Sequence, residues 1–310
     1  MECKRCKYIR WGRHASGRQR WSCVMCLKTK VRQRNSFKHG LLKRFLIDGD
    51  TMTQLSEKYG NHPLTIRNWL HKQLSQSPPL VNIPPDNPCW LVTDATHFKM
   101  WGCLLVTKST KQKHPLAVSF HKKENLESVR DHLNPISNLV VNGYTTDGKR
   151  GLVAAYKQVF PNSKSQRCLV HILMRVQTLL THKPKLALGK DLLDLASMLP
   201  TIDNAIDATS WWELFSDWYQ SHQNEINTRS YKGKESWYLH QNLHSAVTHI
   251  LNAADSLFVF INQPNSISNT NHLEGLFGQR KPSLARHRGL SRKRVANTLL
   301  WTFHLLSKKS

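Results

Sequence analysis

Acidic side chains are scarce in this sequence: 20 Asp and Glu stand against 45 Lys and Arg, a formal net charge of +25. A surface so short of carboxylates excludes a cationic partner and points to a polyanion. The cations are spread through every region, which favours nucleic acid over a single surface anchor. The plain alternative is a soluble basic protein, because charge alone specifies neither fold nor activity. Long apolar runs are missing too. No stretch approaches the roughly 18 to 20 apolar residues of a membrane span, and the longest candidate, 297–306, is short and carries His304. The opening Met1-Glu2-Cys3-Lys4-Arg5-Cys6 is charged and lacks an apolar segment, so no secretory signal is read there. The seven cysteines are therefore expected as reduced thiols, the paired ones binding metal, in a cytoplasmic, DNA-associated protein.

What is present begins with two pairs, Cys3-x-x-Cys6 and Cys23-x-x-Cys26, separated by 16 residues. That is two-knuckle zinc spacing: each turn offers two thiolates, and four satisfy tetrahedral zinc completely, which makes the site structural. Two redox pairs are the competing reading, but a redox motif needs only one pair and a βαβ context. Arg10, Arg13, Arg18 and Arg20 in the joining loop suit phosphate contact. Helical periodicity follows, with Leu41, Leu42, Phe45 and Leu46 on one stripe, then 53–59, a Gly60-Asn61 break, and a helix from Pro63 to Leu74. This predicts a helix-turn-helix in which Thr65, Arg67, Asn68, His71 and Lys72 face a DNA groove while Leu64, Ile66, Trp69 and Leu70 pack. Helical pairs also occur as plain structure. Ser75 to Pro79 with Pro84, Pro85 and Pro88 cannot continue a helix. The expected organisation is a zinc ribbon (1–34), a helix-turn-helix (35–75), a linker (76–88) and a body (89–310).

In the body, Cys89–Phe98, Trp101–Thr107 and His114–Phe120 read as a meander of strands. A helix from Glu124 to Leu133, a strand from Asn138 to Asn142, a helix from Gly148 to Phe160 and a strand from Ser165 to Val170 follow. Three antiparallel strands and then alternating helix and strand is the order of a ribonuclease-H-like α/β core. In that order the first and fourth strands are parallel neighbours, so Asp94 and Asp147 can meet. Close carboxylates repel unless a cation offsets them, and magnesium prefers hard oxygen ligands together with substrate phosphate. Two such ions suit an in-line displacement at phosphorus. The bland reading of Asp147 is a helix-capping residue. Glu274, in a helical stretch whose other face carries Leu273, Leu276 and Phe277, is the best third acid. Glu213, Asp217, Glu225, Glu235 and Asp255 read as solvated faces. Arg280, Lys281 and Arg288 suit DNA phosphates beside the metals.

Thr93-Asp94-Ala95-Thr96-His97-Phe98, Thr146-Asp147-Gly148, Arg167-Cys168-Leu169-Val170-His171 and Asn271-x-x-Glu274-Gly275 together resemble the Mutator-like DDE transposases of bacterial insertion sequences. The resemblance covers most of 89–310, with the zinc-knuckle head as a variant subgroup. It implies a Cys-x-x-His pair after the second aspartate and an all-helical insertion, here about 184–265, before the glutamate. It also implies Asp94, Asp147 and Glu274 as catalytic ligands of two Mg²⁺ ions, Mn²⁺ substituting, and strand transfer between transposon ends and target in double-stranded DNA. A homodimer or higher assembly is expected at synapsis, with no membrane partner. Read from spacing alone, Cys168 and His171 are too few for zinc and are expected as structural support near the site. The tryptophans are expected in the core, an exposed one being free to stack on an unpaired base. A DNA-binding regulator with an inactive nuclease core, and a structure-selective nuclease, are the two rival functions.

Overall fold

The computed structural model describes residues 7–15, 17, 19–31, 40–79, 88–98, 101–278 and 291–307. The chain divides into two compact units, Met1–Gln76 and Ser77–Ser310.

In the first unit, strands β1 (Tyr8–Arg13), β2 (Gln19–Cys23) and β3 (Thr29–Val31) form an antiparallel meander. Cys23 closes β2, and the chain turns through 24–26 with Leu27 in the left-handed region at φ 56°. The Val24 amide donates to the Lys7 carbonyl at 3.0 Å, which draws the chain just after Cys6 against the second cysteine pair. Cys23 is buried and Cys26 half-buried, while Cys3 and Cys6 lie outside the described residues. Leu41, Leu42, Phe45 and Leu46 are all buried, a single apolar stripe of the kind that drives helix docking. Helix α1 (Met52–Tyr59) starts at a capping box, in which Thr51 and Gln54 satisfy each other's amides, and stops at Gly60 with φ 61°. Helix α2 (Pro63–Leu74) has Pro63 in its first turn and buries Ile66, Leu70 and Leu74. Leu64, expected in the packing, is exposed, because two residues before Ile66 it stands on the opposite side of the helix from the buried Ile66, Leu70 and Leu74.

The second unit is built on a mixed sheet of order β6-β5-β4-β7-β8, comprising β4 (Cys89–Phe98), β5 (Gly102–Ser109), β6 (Ala117–His121), β7 (Val141–Thr146) and β8 (Lys164–Arg167). β4 pairs antiparallel with β5 and parallel with β7, the adjacency expected of the first and fourth strands. Boundaries differ from the sequence reading. β7 runs to Thr146 and not Asn142, so Asp147 follows it directly. β8 ends at Arg167, and Cys168 caps a helix in place of continuing a strand. Alternation puts the two faces of the sheet into different cores. Leu91, Leu105 and Tyr144 pack with Val129, Leu133, Leu152 and Tyr156 of helices α3 (Leu126–Leu133) and α4 (Arg150–Val159). Val92, Leu104 and Val106 pack with Leu273, Phe277, Val295 and Leu299 of α9 (Asn271–Gly278) and α10 (Arg292–Ser307).

Between β8 and α9, helices α5 (Leu169–Leu180), α6 (Ala187–Met198), α7 (Ala205–Ile226) and α8 (Gln241–Leu251) share a separate apolar core centred on Trp211 and Phe215. The region expected to be all-helical also contains an antiparallel hairpin, β9 (Arg229–Lys232) and β10 (Glu235–Tyr238). Gly233 turns it at φ 61°. Trp211, Trp212 and Trp218 join the core, whereas Trp237 on the hairpin is exposed.

A buried polar chain crosses the sheet. Thr93 bonds Thr107 and Tyr156, Thr107 meets His132 Nε2 at 2.8 Å, and Ser119 meets His132 Nδ1 at 2.6 Å. Burial, with a smaller contribution from nearby His121, holds the His132 imidazole down at about 3. An unfolded histidine titrates near 6.5, so His132 adds stability above that pH which is lost as the pH falls toward 3. Between pH 7 and 4.5 the wild-type protein is expected to lose about 2 kcal/mol more than His132→Gln, read from urea midpoints at both values.

Candidate functional site

Asp94 lies mid-strand in β4 and is 6 % exposed. Because side chains alternate, Asp94 shares the sheet face of Val92, the face on which Leu273 and Phe277 of α9 pack. β7 pairs Val92 with Thr145, and the same register carried two residues further sets Asp147 abreast of Asp94. Asp147 stands in a tight exit from the strand, where its Oδ1 accepts the Lys149 amide at 3.0 Å. Gly148 has φ 74°, and a side chain there would collide with the Arg167 guanidinium, whose Nη1 donates to the Gly148 carbonyl at 2.9 Å.

The third acid arrives from far along the chain. Thr145 Oγ1 donates to the Ile267 carbonyl at 2.7 Å, and the Leu169 amide donates to the Ser268 carbonyl at 2.9 Å. Thr270 Oγ1 reaches Cys168 Sγ at 3.6 Å and His171 Nδ1 at 3.4 Å. Residues 267–270 are thereby strapped to β7 and to the start of α5, and α9 begins immediately beyond. Leu273 and Phe277 are buried, which turns Glu274 outward, its side chain 44 % exposed. His171 Nε2 lies 3.8 Å from Glu274 Oε1.

The electrostatics join these groups into one site. Burial pushes the Asp94 carboxyl up to about 6, and the charges of Asp147 and Glu274 push the same way. The Ala95 amide, which donates to Oδ1 at 2.8 Å, and the His171 charge pull against them. His171 is raised to about 9, first by its hydrogen bond with Cys168 and then by the charges of Cys168, Asp94 and Asp147. Burial raises the Cys168 thiol, but the bond and charge of His171 outweigh it, and the thiol is net lowered. Cys168 and His171 therefore form a polarised pair that places an imidazolium among three carboxyls.

Sequence reasoning missed the second cation arrangement. Lys149 Nζ sits 3.1 Å from Asp147 Oδ2 and 2.7 Å from Glu124 Oε2, and the same Glu124 oxygen meets His97 Nε2 at 2.9 Å. The Glu124 side chain is only 6 % exposed, and its Oε1 has no hydrogen-bond partner. Lys149 carried a signal, standing two residues from Asp147. Glu124 carried none, lying in a basic surface-like run. Asp147 and Glu274 are thus each held by a basic side chain of the protein. Among the described residues no three His, Cys, Asp or Glu side chains close into one metal-ligand group.

Of the other expected site residues, Arg67, Asn68 and Lys72 are exposed on α2, with Thr65 and His71 half-buried. Arg280, Lys281 and Arg288 lie outside the described residues. Glu213, Asp217, Glu225, Glu235 and Asp255 are all exposed on the surface.

Residues 111–277 match the family described as Transposase, Mutator family, a span of more than half the chain. The span takes in Asp147, Cys168, His171 and Glu274 and begins after Asp94. A search of curated proteins finds no significant match.

A carboxyl raised by burial and by like charges destabilises the fold once ionised, and that cost grows as pH rises from the unfolded value of 3.8 through about 6. Asp94→Asn is therefore expected to raise the stability of chelator-treated protein at pH 7.5 by about 1–3 kcal/mol. The gain should shrink toward zero at pH 4, with denaturant midpoints as the readout. A variant no more stable than wild type at pH 7.5 would show that ionised Asp94 carries no such cost.

Proposed function

The chain belongs to the Mutator family of transposases, and on that footing we propose that it is the DNA transposase of an insertion sequence. Its head would bind the element's ends. Its body would hydrolyse a phosphodiester, water attacking phosphorus and the 3′ oxygen leaving, and the freed 3′-hydroxyl would then attack target DNA. No covalent protein intermediate is needed.

The observation that carries this reading is that Asp147, Glu274 and His171 all act electrostatically on Asp94, with His171 Nε2 3.8 Å from Glu274 Oε1. The strand order, with β4 and β7 parallel at its centre, supports a ribonuclease-H-like body. The donor chemistry fits a hard divalent cation. Three carboxyls lie within electrostatic reach, one of them buried and ionised only at a cost. Asp94, Asp147 and Glu274 would hold two Mg²⁺ ions, or Mn²⁺ in their place, which when bound supply activation of the attacking oxygen and stabilisation of the leaving one. Meanwhile Lys149 would hold Asp147, and His171 would hold Glu274.

Two further readings complete the proposal. Cys23 and Cys26, with the chain after Cys6 drawn against them, support a structural zinc site of four thiolates completed by Cys3 and Cys6. Helices α1 and α2, with Arg67, Asn68 and Lys72 exposed, support a helix-turn-helix reading DNA. Synapsis of two ends calls for at least a dimer.

Purified protein mixed with element-end DNA and Mg²⁺ or Mn²⁺ should give nicked and then joined products, mapped on sequencing gels. Asp147→Asn should abolish both, by a factor of at least ~100, as expected for loss of a group that acts in the transition state. Binding without cleavage would instead support a DNA-binding regulator, and cleavage without joining a structure-selective nuclease. An Asp147→Asn protein as active as wild type would refute the site.

A further inference from the structure

The hairpin β9–β10 is the one feature of the helical region that its core does not explain. Only its root is anchored. Tyr238 stacks on His244 with ring centroids 3.5 Å apart, and the Arg229 guanidinium lies 4.8 Å from the centroid of the same Tyr238 ring. The Leu239 amide closes the base on the Thr228 carbonyl at 2.9 Å. Beyond that root every residue from Tyr231 to Trp237 is exposed. A two-stranded ribbon with no sheet or helix beneath it is at best marginally stable, so large apolar side chains on it do not serve the fold.

Two such side chains are there. Tyr231 is 73 % exposed and Trp237 42 %. Tyr231 pairs with Ser236 and Trp237 with Ser230, so the two aromatics stand on opposite faces of the ribbon. Arg229, Lys232 and Lys234 surround them, against the single acid Glu235. We propose that this hairpin is a nucleic-acid-binding arm: its cations contact phosphates, and Tyr231 and Trp237 stack on unpaired bases to either side of the ribbon. A second copy of the chain is the less fitting occupant. An isologous contact through this patch would set the same cations against each other. Aromatic rings interleaved with cations are instead the chemistry of single-strand recognition, in which any base offers a stacking face and the backbone supplies the charge. The inference rests on the proposed action of the protein on DNA, and adds that it engages strands that are locally unpaired.

Fluorescence anisotropy of the full-length protein with two labelled DNAs, a forked duplex with unpaired arms and a blunt duplex of equal length, tests the assignment. The double variant Tyr231→Ala/Trp237→Ala should weaken binding to the fork by ~10-fold or more, while binding to the blunt duplex stays within about twofold of wild type. Lys232→Gln/Lys234→Gln should weaken both and reduce the salt slope by roughly two. Because the substituted side chains are exposed, melting curves should be unchanged, which separates lost contact from lost fold. An aromatic double variant that binds the fork like wild type overturns the arm while leaving the wider function standing. Loss of self-association in sedimentation velocity, with DNA binding intact, assigns the hairpin to a second copy. Wild-type protein that binds neither DNA sinks the DNA reading itself.

Discussion

The parallel pairing of β4 with β7 is the constraint from which the site follows. A parallel neighbour brings residues distant in sequence to the same height on a sheet, and the Val92–Thr145 register, continued past the end of β7, points Asp147 toward the level of Asp94. Two carboxyls within electrostatic reach of each other, one of them buried, repel. The surrounding structure answers that repulsion. Lys149 bridges Asp147 to the half-buried Glu124, the Cys168–His171 pair supplies an imidazolium, and Arg167 lies against the Gly148 turn. None of these groups makes sense as a packing choice. Each makes sense as compensation for the acids that the register forces together.

The third acid depends on a different device. The helical region leaves the sheet at the end of β8 and returns at Ile267, and its return is fixed by hydrogen bonds to Thr145, Leu169, Cys168 and His171. Those partners lie on the same elements that carry or follow Asp147. The strap therefore locates the start of α9, and with it Glu274, relative to the strand that leads into Asp147. Trp90 adds to the same joint by donating to Thr145 Oγ1 at 2.9 Å, beneath the strap.

Much of this was legible in sequence, and the parts that were not share a cause. Apolar runs at Cys89–Phe98 and Trp101–Thr107 announce strands, and the Leu41, Leu42, Phe45, Leu46 stripe announces a helix, because burial imposes a period on composition. The strand before Asp147 extends to Thr146, past the Asn142 at which the sequence pattern ends it. Its second half, Asn142-Gly143-Tyr144-Thr145-Thr146, is polar in letters yet buried from Gly143 onward, its threonines spending their hydroxyls on Trp90, Ile267 and Gly148. Tertiary hydrogen bonding that satisfies a polar side chain leaves no local pattern. The hairpin was hidden similarly, since Arg229–Tyr238 has no alternating apolar face, only exposed aromatics among cations. Glu124 was hidden because its partners, His97 and Lys149, are meaningful only once the sheet is assembled.

The charge balance closes the argument. With a net charge of +25, the molecule draws a polyanion to its surface from any direction, yet at the site itself three acids would repel the phosphate that must approach. On the proposed function this sets an order: the acids have to be neutralised before the scissile phosphate can settle beside them. Lys149 and His171 already supply two of the positive charges required, though they hold Asp147 and Glu274 and leave Asp94 without a basic partner at bonding distance among the described residues. Asp94 is also the most buried of the three, and burial is the main cause that raises its carboxyl. The remaining demand for positive charge is therefore focused on the centre of β4, where the register first brought the carboxyls together.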